Sequence, residues 1–137
     1  MKKLVAGATA LALLGLAAGC SGSGSAATAK VVDLTAQGMT YGTKEITVEK
    51  GKPVKLVFHN NDSVLHDFSV DSIAAKVQSS HMDNHDMGGK MPDLHVSVDA
   101  GKTGELVFTP NQTGKFTFYC TVAGHKEAGM VGTLIVQ

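Results

Sequence analysis

The chain has no tryptophan and no arginine, and contains only three prolines and two cysteines. Its 12 basic residues are all lysine and are balanced by 12 acidic ones. It therefore has neither the positive excess nor the basic stripe of a nucleic-acid binder. No long segment keeps a 3.6-residue apolar period, and no internal repeat is visible. No apolar run reaches the roughly 18 to 20 residues that a membrane-spanning helix needs. What is present is a chain of 137 residues, 43% hydrophobic, with 16 glycines. That suffices for one domain with a core and many tight turns.

The longest apolar run, Leu4 to Ala18, follows Lys2 and Lys3 and ends in Leu16-Ala17-Ala18-Gly19-Cys20. A positive start, a short apolar stretch and small residues at its end form the pattern of a secretory signal peptide. The last residues also resemble a bacterial lipobox, although Ala17 stands where leucine is usual. Residues 1–19 are therefore expected to be a signal peptide, and Cys20 to be the site of lipidation. Residues 20–30 are mostly Ser, Gly, Ala and Thr, offer nothing to build a core, and read as a flexible tether. The expected location is the periplasm or the extracytoplasmic membrane surface, with the lipid on Cys20 as anchor. A disulfide between Cys20 and Cys120 is set aside, because Cys20 borders a tether and Cys120 has a better use.

Residues 31–137 change character. Val31 to Leu34 is a first strand, and Glu45-Ile46-Thr47-Val48 alternates polar and apolar residues. Val54, Leu56 and Phe58 then share one face of a strand, with Lys55 and His59 on the other. The turn Asn60-Asn61-Asp62-Ser63 breaks it. His66, Phe68 and Val70 alternate with Asp67, Ser69 and Asp71. Residues 74–94 do not alternate and form a Met/His-rich insert. Alternation resumes at His95 to Val98, continues through Leu106 and Phe108, places Phe116, Phe118 and Cys120 on one face, and ends in Gly132 to Gln137. The pattern predicts an all-β domain, an antiparallel Greek-key sandwich of seven to eight strands. Asn61-Asp62-Ser63 and Asn111-Gln112-Thr113 match a glycosylation acceptor but read as turns.

The chemistry lies near the end of the chain. Cys120 is followed by His125 and then Met130, each five residues after the last. Thiolate, imidazole and thioether are soft or borderline donors, and two histidines, a cysteine and an axial methionine form the blue-copper electron-transfer set. The loop supplies three of the four, so the second histidine must come from elsewhere. His66 is the best candidate. It follows a turn, shares the inward face of Phe68 and Val70, and belongs to a strand expected beside that of Cys120.

At this point Asn60-Asn61-Asp62-Ser63-Val64-Leu65-His66-Asp67-Phe68 and the Tyr119–Met130 segment resemble the cupredoxin family of plastocyanin, azurin, pseudoazurin and auracyanin. The resemblance covers about residues 43–137. It implies one type 1 copper per chain and a periplasmic or membrane-surface electron shuttle. One departure stands out. These proteins usually carry Asn after the first histidine ligand, tying the two ligand loops together, where this chain has Asp67.

Rival readings fit less well. A lone cysteine is usually a small buried hydrophobe, but His125 and Met130 at fixed spacing argue otherwise for Cys120. A Cys/His nucleophile needs an orienting group and a cleft. Structural zinc rarely uses thioether. A two-copper centre would need a second cysteine in the 120–130 loop, and a catalytic copper site would draw on His-x-His pairs; the sequence has neither. The expectation is a monomeric carrier, not an enzyme, that docks transiently with redox proteins near His125, where the flanking residues are small. His59 is expected to face solvent. The remaining alternative is copper trafficking or storage. Its support is the insert, where His81, Met82, His85, Met87 and Met91 are candidates for a second, looser copper site, with His95 close behind.

Overall fold

The computed structural model describes residues 28–83 and 87–137. The signal segment 1–19, Cys20, most of the tether and His85 lie outside the described residues. Ten strands follow in order: β1 (Lys30–Gln37), β2 (Thr40–Tyr41), β3 (Glu45–Val48), β4 (Val54–Asn60), β5 (His66–Val70), β6 (Ala75–Ser80), β7 (Leu94–Val98), β8 (Thr103–Pro110), β9 (Gly114–Tyr119) and β10 (Val131–Val136). They form two five-stranded sheets, ordered β2-β1-β4-β8-β6 and β3-β10-β9-β5-β7. The all-β sandwich expected from the sequence is therefore present, with two strands more than the eight segments that alternation marked.

Both additions have a physical reason. β2 is two residues long and pairs with β1 through a tight turn in which Gly38 and Met39 both have positive φ, 59° and 56°. β6 falls within the segment expected to be a non-alternating insert. Five of its six residues are exposed, so no hydrophobic alternation marks it. It is held instead by backbone pairing to the edge of β8.

The sheets are also mixed rather than purely antiparallel. β1 runs parallel to β4, and β3 parallel to β10. The chain leaves β1, passes through β3 in the second sheet and returns as β4, so β1 and β4 point the same way.

β4 alternates as predicted, with Val54, Leu56 and Phe58 buried. Phe118 sits at the centre of the core, its ring 5.0 Å from Phe68 and 5.1 Å from Tyr41. Such aromatic pairs contribute about 0.5–1.5 kcal/mol each beyond area burial. Gly132 pairs with Phe118 across the hairpin. A Cβ there would lie 2.1 Å from the Phe118 ring, so this position requires glycine.

Alternation misleads in β5 and β7, where all ten positions are buried. Ser69, Ser97 and His95, expected on the solvent side, are covered. The segment after β6 accounts for this. Ser97 Oγ donates to the Asp83 carbonyl and Ser80 Oγ to the His95 carbonyl, and Met87 Sδ lies 3.2 Å from Thr121 Oγ1. His81 also joins the two sheets. Its N–H donates to Glu105 O in β8 and its carbonyl accepts from Ser97 N in β7.

Candidate metal centre

β5 and β9 are neighbours, paired at Ser69 and Tyr119. His66 opens β5 and Cys120 immediately follows β9, so the pairing sets the two side by side at one end of the sandwich. The loop from Cys120 to Met130 is closed by its own backbone. Cys120 N donates to Met130 O, Met130 N to His125 O, and His125 N to Val122 O. Gly124 and Gly129 supply the positive φ values, 83° and 96°, that this winding requires.

The ligand atoms of His66, Cys120 and His125 all lie within 4.8 Å of one another, and all three residues are buried. Cys120 Sγ is 3.8 Å from His66 Nδ1 and 3.5 Å from His125 Nδ1, and the two nitrogens are 3.2 Å apart. Among the described residues no other group of histidine, cysteine or carboxylate side chains is as tightly gathered to hold a metal. Met130 is fully buried in the same loop. His125 is the most exposed of the four, at 9%.

Hydrogen bonds fix the donors. Asp62 Oδ2 accepts from His66 Nε2 at 3.1 Å. The Asp67 backbone N–H donates to Cys120 Sγ at 3.5 Å. Despite the departure at position 67, the Asp67 carboxylate ties the two loops. It accepts from Thr121 N at 2.9 and 3.1 Å and from Thr121 Oγ1 at 2.6 Å. Ser69 Oγ donates to the same carboxylate at 2.8 Å and meets His95 Nδ1 at 2.7 Å. A buried polar chain thus runs from the ligand loop to β7.

Electrostatics follow from burial. Desolvation, then the Asp67 charge, pushes the Cys120 thiol up to about 12. Desolvation, then His66, lowers His125, which keeps its imidazole neutral and able to donate a lone pair. The hydrogen bond from His66 holds the Asp62 carboxyl well below its usual range. Burial raises the Tyr41 hydroxyl, which donates to the Asp67 carbonyl at 2.6 Å. A buried thiol beside two imidazoles suits a metal that displaces the thiol proton on binding. One sulfur and two nitrogens, with a buried thioether in the same loop, match the donor preference of copper.

The insert behaves differently. Met82 and Met91 are exposed, at 48% and 44%. His81 turns to Asp83, with Nε2 3.1 Å from Oδ1. Met87 lies against Thr121. These candidates for a second copper differ in burial and in neighbours, and His85 lies outside the described residues. His59 faces outward as expected, contacting Asp33 and Thr103 at 3.2 and 3.0 Å. The residues that sequence reasoning missed are Asp62, Ser69, Thr121 and the buried role of His95. The one available signal was an aspartate four residues before His66, read only as a turn former.

The chain is similar to known proteins in sequence and in fold. A family profile described as cupredoxin-like domain matches residues 10–136. The copper-resistant cuproprotein CopI of Rubrivivax gelatinosus is 34% identical over 106 residues, covering 72% of this chain and 61% of that protein. CopI of Vibrio cholerae serotype O1 is 32% identical over 97 residues, covering 66% and 54%. The chain thus spans between half and two thirds of the length of these two relatives. Among solved structures, auracyanin B superposes with a TM-score of 0.62 at 22% identity, covering 80% of this chain and 89% of that one. Auracyanin of Roseiflexus castenholzii gives 0.60 at 19% identity, covering 81% and 98%. These two likenesses support the fold alone. The profile match over nearly the whole chain, on a two-sheet fold with a His-Cys-His cluster at one end, makes this chain a member of the cupredoxin-like domain family.

Proposed function

We propose that the chain is a type 1 copper protein that carries single electrons. It would hold one copper through His66 Nδ1, Cys120 Sγ and His125 Nδ1, with the Met130 thioether as a weak further donor. The observation that carries this reading is the buried, mutually close His66–Cys120–His125 cluster. When bound, copper would supply one-electron exchange between Cu(I) and Cu(II). The residues keep water out and hold the donors in one arrangement for both states, which keeps rearrangement on electron transfer small. His125, the most exposed of the set, is the route for electrons, with small neighbours Ala123, Gly124, Ala128 and Gly129 allowing close approach of a redox partner. Anchoring through Cys20 would hold the domain at the extracytoplasmic membrane surface. Titration with Cu(II) tests the reading. One equivalent is expected to produce an intense visible thiolate-to-copper band that Cys120→Ser abolishes; a blue Cys120→Ser variant would refute it.

A second reading, copper handling for resistance, is favoured by the likeness to CopI proteins. Met87 and Cys120 also line one cleft of about 520 Å³, so a thioether of the insert stands beside the deep site. Cu(I) stoichiometry separates the readings. A carrier retains one copper and cycles reversibly, whereas a trafficking protein takes further Cu(I) and yields it to a chelator.

A further inference from the structure

We infer that Asp62 is a positioning residue for the metal centre: its carboxylate locks the His66 ring with Nδ1 toward Cys120 and His125, and its charge favours the oxidised metal. The inference rests on the copper reading above.

An imidazole has two nitrogens, and in the neutral ring one carries the proton while the other offers the lone pair. His66 is fully buried, so solvent cannot choose between them. Asp62 chooses. With Oδ2 3.1 Å from Nε2, an ionised carboxylate accepts the proton-bearing nitrogen and leaves the lone pair on Nδ1. Nδ1 is the atom that faces the other two donors.

The carboxylate is itself held in place. Gly38 N donates to Oδ2 at 2.8 Å and Ser63 N to Oδ1 at 2.7 Å. The Asp62 backbone N–H donates to Asn60 Oδ1, and the Asn60 amide donates to the carbonyls of Val64 and Val98. The turn before β5 is therefore a rigid mount, fastened to the β1–β2 turn through Gly38 and to β7 through Asn60.

Asp67 does a different job. Its carboxylate is engaged by Thr121 and Ser69, so its side chain ties loops together, whereas that of Asp62 bonds a ligand ring. A carboxylate behind a ligating imidazole raises the basicity of the ligand, and losing such a partner typically costs about 10–100-fold in metal affinity. Because the added charge counters the greater charge of Cu(II), that cost falls mainly on the oxidised form. A tenfold loss of Cu(II) affinity relative to Cu(I) raises a one-electron potential by about 59 mV.

The test compares wild type, Asp62→Asn and Asp62→Ala. In Asp62→Asn the amide oxygen can still accept from Nε2, while the amide nitrogen takes the place of Oδ1 and gives up the hydrogen bond from Ser63 N. It should keep the visible band, lose about tenfold in Cu(II) affinity by chelator competition, and titrate at a correspondingly higher potential. In the metal-free wild type, ¹⁵N NMR should find the His66 proton on Nε2, a readout that requires neither a variant nor copper. Asp62→Ala should mix the two tautomers and weaken both copper states. If wild type gives no thiolate band with Cu(II), the copper reading itself fails. If wild type gives the band but its metal-free His66 carries the proton on Nδ1, or Asp62→Asn titrates at the wild-type potential, the role of Asp62 is overturned and the copper reading stands.

Discussion

Two stretches of this chain are rich in copper-loving side chains, and they are built differently. Between β9 and β10, the Cys120–Met130 loop is wound on its own backbone hydrogen bonds, and its donors are buried and meet a fixed His66. Between β6 and β7, His81, Met82, Met87 and Met91 are of equally suitable types, yet each turns to a different neighbour or to solvent. The difference lies in closure: one loop returns to its starting point, where Cys120 N meets Met130 O, while the other runs along the edge of β7 and spends its polar groups on Ser97, Thr121 and the sheet backbone.

The sharpest way to break this comparison is to remove one donor from the wound loop. His125→Ala should lose Cu(II) binding by tenfold or more, whereas Met130→Leu should keep copper and colour at a raised potential, because a thioether is the weakest donor of the proposed set. Chelator competition and redox titration on both variants check the ranking, and equal copper loss in the two would contradict it. A smaller effect comes from the winding. Gly129 has φ of 96° and no atom close to where a Cβ would sit, so Gly129→Ala is strained by conformation and not by contact. It should destabilise the metal-free fold by about 1–3 kcal/mol in chemical denaturation, and weaken copper binding as well. The smallest effect is expected in the insert. Met82→Ser combined with Met91→Ser changes only exposed side chains, so stability should move by less than about 0.5 kcal/mol and the visible band should not move. Loss of colour in that double variant would show that the two stretches are one site.

Much of this was legible in the sequence, and what was not has physical causes. Cys120, His125 and Met130 could be read because they lie in one loop, where spacing along the chain stands in for distance. His66 could be read because inward alternation with Phe68 and Val70 aims it at the same core. Ser69 and His95 could not, because alternation assumes that one face of a strand is wet, and the segment after β6 covers that face. β6 itself was invisible because backbone pairing leaves no mark on an exposed sequence. Asp62 was hidden by its own turn, whose residues read as loop formers whether or not one of them grips a ligand. Asp67 was noticed but not resolved, since whether a carboxylate can replace an amide as a tie depends on what faces it. Here the partners are the Thr121 N–H and hydroxyl, both donors.

The strand edges have a consequence for how copies of this protein behave when concentrated. A sheet edge with bare N–H and C=O groups is a template on which another chain can add as a further strand, the first step toward aggregation. In this fold β6 and β7 are the outer strands at one side of the two sheets. The backbone of His81 stitches that seam, giving its N–H to one sheet and its carbonyl to the other, and Asp83 N continues the stitch to Ser97 O. Before the seam, the polar side chains of Lys76, Gln78 and Ser79 stand exposed along β6. The segment that resembles a mere elaboration between strands thus works as a hem, and trimming it to shorten the domain would open the seam to strand exchange between neighbours.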